Sequence, residues 1–304
     1  MSTLTVLINT KNEEKNIKVC LNSVKAIADE ILVVDMNSSD GTVALAEKSG
    51  AKVIHYKTDH GFADPARNFA LTKVKTDWVF ILDADELIES SVAANIKKLI
   101  EDPGFDVYYL PRKNIIFDKW IQHTGWWPDY QPRLFREGFL DWPGVVHAQP
   151  VVKGNIKHLP TKSEFAITHQ NYNSISHFFD KLNRYTTLSA EKTPTKNRKS
   201  PVSSAQALNK FFSEFLRRYF AQDGIKDGVH GAGLSIFQAT YELTTYLKKW
   251  ELGGYPTTNF DSDSGIRELR SVQKELNYWI ADYKVRHLGG LQKLWWRIRR
   301  KYQI

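Results

Sequence analysis

Between Leu4 and Leu110 the hydrophobic pattern switches repeatedly between the alternation of a strand and the longer period of a helix, and few folds accept that rhythm. Short β-branched runs occupy Leu4 to Asn9, Glu30 to Asp35, Lys52 to Tyr56, Trp78 to Asp83 and Val107 to Leu110. Helix-like segments separate them. The first carries Ile17, Leu21, Val24 and Ala28 on one face, and the second runs from Gly41 to Lys48. The third opens with Asp64 as a helix cap and Pro65 at the first helical position, and the fourth spans Ser90 to Ile100. Strand and helix in this alternation predict an α/β fold: a mainly parallel, Rossmann-like sheet with helices on both faces.

After Arg112 the character changes. Up to His169 the chain reads as short strands and turns with many aromatics, and "GWWPDYQPRLFREG" reads as a shaped loop rather than a plain strand. A polar, basic break at residues 191–205 precedes segments with helical periodicity. The expected organisation is an α/β catalytic domain over residues 1–190, a helical acceptor-side region over 191–286 and a basic amphipathic tail over 287–304. With 304 residues there is room for a sizeable core in one large domain or two smaller ones. The lone cysteine, Cys20, rules out an internal disulfide and suits a reducing compartment. Residues 1–9 run straight into a strand-like stretch rather than a secretory signal, and no apolar run approaches the length of a membrane span.

In a parallel α/β sheet, ligands bind beyond the carboxyl ends of the strands. Those ends read "NTKNEE", "VVDMNSSDGT" and "LDADE". Alone, each passes for a turn or a helix cap; together they favour a ligand site. The cluster Asp83, Asp85 and Glu86 sharpens the point, because like charges this close need solvent, a helix terminus or a cation to neutralise them. A sugar nucleotide brought in with Mg²⁺ or Mn²⁺ meets that need. The cation takes oxygen ligands from Asp85 and the diphosphate, while Asp83 and Asp35 accept hydrogen bonds from ribose or base.

The segments "VLINTKNEEKNI", "ILVVDMNSSDGT", "GFADPARNFAL" and "VFILDADE" resemble the successive motifs of glycosyltransferase family 2, whose fold is GT-A. Further on, "PDYQPRLFREG", "VVH" and "DGVHGAG" resemble the bacterial lipopolysaccharide-core glucosyltransferase subgroup, except that Ala148 follows Val146 and His147 where that subgroup reads Glu. The resemblance implies nucleotide contacts at Thr10, Asn12, Glu13, Asp35, Ser38, Asp40 and Asp83, with Arg67 and Asn68 in a segment that closes over the nucleotide. It implies a divalent cation at the Asp83/Asp85 pair, chiefly on Asp85. An inverting transfer needs a general base. The candidates are Asp129, whose aromatic loop is expected to raise its pKa by burial, and His147; Arg133 and Arg136 stand near as phosphate contacts or loop braces.

The implied activity moves a sugar from a nucleotide-sugar donor, UDP-sugar favoured, to a saccharide or lipid-linked acceptor in cell-envelope glycan synthesis. A polyprenyl-phosphate acceptor is the nearest alternative. A non-enzymatic basic adaptor for membrane or nucleic acid is the remote one, with no nucleic-acid motif to support it. The net charge of +8 is local: residues 283–304 hold seven basic and no acidic residues, leaving about +1 on the rest. At helical spacing Leu291, Leu294, Trp295, Ile298 and Tyr302 form an apolar stripe, with Lys293, Arg297 and Arg300 away from it. The tail is therefore expected to hold a cytoplasmic enzyme peripherally on the anionic inner face of the cytoplasmic membrane.

Overall fold

Strand β1 (Leu4–Thr10) is buried along its whole length, which requires neighbours on both edges and cover on both faces. In the computed structural model, which describes residues 1–58, 62–143, 150–193, 203–256 and 262–303, it has both. It pairs in parallel with β2 (Glu30–Asp35) and with β4 (Trp78–Asp83), and β2 pairs in parallel with β3 (Lys52–His55). Helices α1 (Ile17–Val24), α2 (Thr42–Lys48), α3 (Asp64–Leu71) and α4 (Ser90–Leu99) fill the intervening segments. The residues of β1 alternate between two cores. Leu4, Val6 and Ile8 pack with Ile17, Leu21 and Val24 of α1, whereas Leu7 packs with Ala66 and Ala70 of α3. The α/β class with helices on both faces, expected from the pattern, is the one the chain adopts.

Two local expectations need correction. Asp64 is the first residue of α3 rather than its cap, and its carboxylate takes a 2.9 Å ion pair from Arg67 one turn on. The second half of the "shaped loop" is β9 (Gln131–Arg136), a central strand antiparallel to both β4 and β6 (Val107–Leu110). Pro132 hides it, since proline is scarce in central strands. It is tolerated where the register of β6 and β9 shifts, between Tyr108 and Tyr109. With β12 (Ile156–His158) at one edge, the sheet order among the described residues is β12-β6-β9-β4-β1-β2-β3.

A second sheet runs β5 (Glu86–Leu87), β13 (Ile167–Tyr172), β7 (Arg112–Ile116) and β8 (Lys119–Trp120). Its register sets His169 of β13 opposite Glu86 of β5 and beside Asn114 of β7. A short ribbon pairs β10 (Leu140–Asp141) with β11 (Val151–Val152).

The chain divides into two compact units, Met1–Trp120 with Trp126–Asn173, and Ile121–Gly125 with Ser174–Ile304. The second is helical: α5 (Ile175–Glu191), α6 (Ser204–Leu216), α7 (Val229–Leu252), α8 (Ser262–His287) and α9 (Gly290–Tyr302). Ser174 caps α5, and Ser203 with Gln206 forms a reciprocal capping box on α6. The "DGVHGAG" motif has a packing role here. Buried Asp227 accepts hydrogen bonds from the His123 backbone and the Thr124 hydroxyl and pairs with the His123 ring at 3.0 Å. Gly231 lies so close to the Gly224 carbonyl that a Cβ would collide with it. Among the described residues no helix is long and apolar enough to cross a membrane.

Candidate active site

The parallel register brings the ends of β1, β2 and β4 to one edge of the sheet, pairing Asn9 with Asp83 and Thr10 with Asp35. The three sequence clusters therefore meet. At β1 and β2 the loops are stitched together by their own polar groups. The Asn12 backbone donates to Ser38 Oγ at 2.9 Å, and Asn12 Oδ1 accepts from the Ser39 backbone at 2.8 Å. The Glu13 backbone donates to Thr42 Oγ1, and Glu13 itself accepts from Asn16. Asp40 accepts from the Glu14 and Thr42 backbones, the turn-and-cap arrangement expected of such a residue. Asp35 is nearly buried and accepts from the Ser38 backbone. Beside it, Asn9 Oδ1 and Thr10 Oγ1 are buried with no partner among the described residues, and buried polar atoms in that state are uncommon.

At the end of β4 the three carboxylates find three different answers. Asp83 accepts from Arg67 on one oxygen and from Arg133 on the other at 2.9 Å. Burial pushes its pKa up, but the two guanidinium groups outweigh that and hold it well below the usual carboxylate range. Glu86 is fully buried and takes Arg133 at 2.7 Å and Arg112 at 3.2 Å. Arg133 is thus a buried brace under two carboxylates rather than a phosphate contact. Arg136 pairs with Asp106 at 3.3 Å and stacks over Trp78. Asp85 has a histidine beside it: its Oδ2 lies 3.3 Å from His169 Nε2.

The His169 ring is oriented by a chain of hydrogen bonds. Asn114 Nδ2 donates to the Trp126 carbonyl and to Asp129 Oδ2, so Asn114 Oδ1 is the acceptor end of that amide. It lies 2.7 Å from His169 Nδ1, which must therefore carry the hydrogen. Nε2 then faces Asp85 either as a second N–H, making an imidazolium–carboxylate pair, or as a lone pair that shares a cation with the carboxylate. An imidazole fixed through one nitrogen so that the other can ligate is the usual arrangement around metals. The residue types fit a divalent cation at Asp85 and His169. They fit poorly at Asp83, whose charge two arginines already balance. Among the described residues no cluster of three or more candidate ligands exists, so a cation here would draw further oxygens from its substrate.

Asp129 does not have the environment expected of it. Its carboxylate accepts from Arg112 Nε, Asn114 Nδ2 and Gln131 Nε2 at 2.8, 2.8 and 3.0 Å. Burial alone would raise its pKa, but Arg112 and these donors hold it below the ordinary value, the reverse of the expected shift. A carboxylate so saturated is a poor proton acceptor and a good anchor. The second base candidate, His147, lies outside the described residues, as do Val146 and Ala148. Asn68 exchanges two hydrogen bonds with the Trp142 backbone, and Arg67 lies over the Trp142 ring.

Comparison with known proteins gives the edge a context. Residues 5–153 match the family Glycosyl transferase family 2. Just under half of this chain is therefore similar to that family. An uncharacterized glycosyltransferase of Rickettsia bellii is 36% identical over 132 residues, covering 43% of this chain and 42% of that protein. The SPbeta prophage-derived glycosyltransferase SunS of Bacillus subtilis is 30% identical over 154 residues, covering 49% of this chain and 35% of its own. The chain thus spans less than half the length of these relatives. Among solved structures, S. aureus TarS aligns over 81% of this chain and 91% of its own at 16% identity and a TM-score of 0.43. Glucosyl-3-phosphoglycerate synthase from Mycobacterium tuberculosis, in complex with Mn²⁺, UDP and glucosyl-3-phosphoglycerate, aligns over 37% of this chain and 43% of its own at 24% identity and a TM-score of 0.32. The matched residues include the mainly parallel part of the central sheet, β1 to β4 with their covering helices.

Sequence reasoning missed His169, Arg112 and Asn114. Asn114 and His169 are 55 residues apart, and only the register of the second sheet brings them together. The available signal was a histidine on a short strand-like run after the Asp-x-Asp cluster.

Proposed function

We propose that the protein is an inverting glycosyltransferase that uses a nucleotide-sugar donor, UDP-sugar favoured, with a divalent cation at Asp85 and His169. The observation that carries this reading is the Asp85–His169 pair, held from behind by Asn114 and Asp129, at the strand ends of a region similar to family 2. When bound, the cation offsets negative charge on the departing nucleoside diphosphate.

The chain's own residues supply the rest. Asp35 and the buried Asn9 and Thr10 oxygens stand where a base and ribose would present N–H and O–H donors. Arg67, beside Asp83 and over Trp142, stands at the nucleotide edge as a cation for phosphate. Asp129 is a positioning residue, acting through Asn114 on His169. The base that takes the acceptor proton is assigned to His147, because histidine is the side chain most often used as a general base. The acceptor class is a saccharide or lipid-linked saccharide of a cell-envelope glycan, of the lipopolysaccharide-core kind, on the strength of the subgroup motifs.

Calorimetric titration of UDP-, GDP- and ADP-sugars with and without Mn²⁺, followed by product analysis with core oligosaccharide and polyprenyl-phosphate acceptors, tests the reading. The expected result is Mn²⁺-dependent binding of a UDP-sugar and formation of a glycoside. Transfer that persists in EDTA contradicts the cation, and a lipid-phosphate sugar as product contradicts the acceptor class.

A further inference from the structure

Helix α9 presents to solvent the side that a helix normally buries. Its apolar stripe is open: Leu291 is 85% exposed, Leu294 55%, Trp295 51%, Ile298 51% and Tyr302 62%. Lys293, Trp296, Arg299 and Arg300 are half-buried, and Lys293, Trp296 and Arg300 are spaced along the helical face away from the stripe. Arg300 ion-pairs with Asp282 of α8 at 2.7 Å, and Asn277 of α8 donates to the Gln303 carbonyl. The helix is therefore held to α8 by polar contacts, with its apolar stripe turned outward. A contiguous apolar strip of this kind on a soluble surface marks a place of interaction.

What covers the stripe is indicated by its flanks. Trp295 and Trp296 meet edge to face at 4.7 Å, and the Arg299 guanidinium lies over both rings at 4.8 and 5.4 Å. Arginine resting on tryptophan gives a flat apolar body with a charged tip, the combination suited to a headgroup boundary. Arg297 and Lys301 are exposed on the same helix, and residues 283–304 contain no acidic side chain. A second copy of this helix would bring like charges together at close range, which opposes association. An anionic bilayer would bring the opposite charge.

We propose that α9 is an interfacial docking helix that lays the Leu291, Leu294, Trp295, Ile298 and Tyr302 stripe into the surface of an anionic lipid bilayer, with Arg297, Arg299 and Lys301 reaching headgroup phosphates. The inference stands on the exposure and charge of α9 and is independent of the chemistry proposed above.

Co-sedimentation of the full chain with vesicles tests it. One set is phosphatidylcholine alone and the other phosphatidylcholine mixed with phosphatidylglycerol. The wild-type protein is expected to sediment with the mixed vesicles, at least about tenfold more strongly than with the neutral ones, and to be released by salt. Leu294→Ser with Ile298→Ser should lower partitioning about tenfold or more, and Arg297→Gln with Lys301→Gln about tenfold. Both pairs alter exposed side chains, and circular dichroism would show that the fold is retained. Failure of the wild type to bind mixed vesicles, or equal binding by wild type and both variants, overturns the proposal. So does light scattering that shows a dimer lost in the Leu294→Ser/Ile298→Ser protein while vesicle binding is absent, since the stripe then belongs to a second copy.

Discussion

The end of β4 and helix α9 break the ordinary rule of burial in opposite directions. At β4 charge is buried: Glu86 and Arg133 are almost wholly enclosed, with Asp83 against them. In α9 apolar surface is exposed while an arginine faces the helix beneath. Each departure carries a cost that folding alone does not repay, because buried charge loses hydration and exposed apolar surface orders water. The contrast teaches where to look for partners. The buried charges are mutually paired and so make a rigid frame, beside which Asp85 lies 3.3 Å from His169. The exposed apolar stripe has no such answer among the described residues, and an anionic bilayer is its proposed partner.

The comparison can be broken most directly at the frame. Arg133→Ala should leave Glu86 and Asp83 short of a buried cation and cost roughly 3–5 kcal/mol, read as a large fall in denaturant midpoint. A loss below about 1 kcal/mol would mean the cluster is solvated like a surface pair. Asp85→Ala should do the opposite. Transfer should fall on the order of a thousandfold, from several kcal/mol of lost charge stabilisation, while the unfolding midpoint scarcely moves. An equal loss of stability in both variants would erase the distinction between frame and ligand.

Asp129→Asn sharpens the account further. It keeps size but weakens the acceptor of Asn114 and Arg112, so Mn²⁺ affinity should drop about 10- to 100-fold, as for an outer partner of a metal ligand. If turnover collapses while Mn²⁺ affinity is unchanged, Asp129 is the base after all. Acidification probes the same carboxylates. Asp83 and Asp129 are both held below the usual range, so the unfolded chain binds more protons than the native one below about pH 4. Their contribution to stability should be complete above about pH 4 and be lost as pH falls through the native values. A stability that rises on acidification would contradict those pairings. The smallest effect is expected in α9, where Leu294→Ser should change stability within about 0.5 kcal/mol because the side chain packs on little. A loss of 2 kcal/mol or more would show the stripe to be buried.

The legibility of the molecule follows the range of its interactions. Strands β1 to β4 and the helices between them are local in origin, set by period and β-branched content, and the sequence shows them closely, except that α1 ends at Val24 and does not reach Ala28. Strand β9 was not legible, because Pro132 argues against it and is accommodated only by a register shift against β6 that leaves Arg133 as the extra residue. Asp64 shows the same limit on a smaller scale: its sequence position suits a cap, but Arg67 claims its carboxylate. The candidate site is legible as a place, since parallel strand ends converge by rule. The partners at that place are not, because Arg133 and His169 reach β4 and its neighbours across long stretches of chain. Asp129 illustrates the cost: burial was readable from its loop, but the neutralising Arg112 was not.

In the proposed function, Asp85 and His169 together hold a divalent cation with a nucleoside diphosphate. Calorimetric titration of Mn²⁺ into the 304-residue chain saturated with UDP is the direct test, with Asp85→Ala and His169→Ala titrated beside the wild type. The account predicts one Mn²⁺ site in the wild type and its loss in both variants, with thermal unfolding of each still cooperative. Unchanged Mn²⁺ binding in either variant would contradict it.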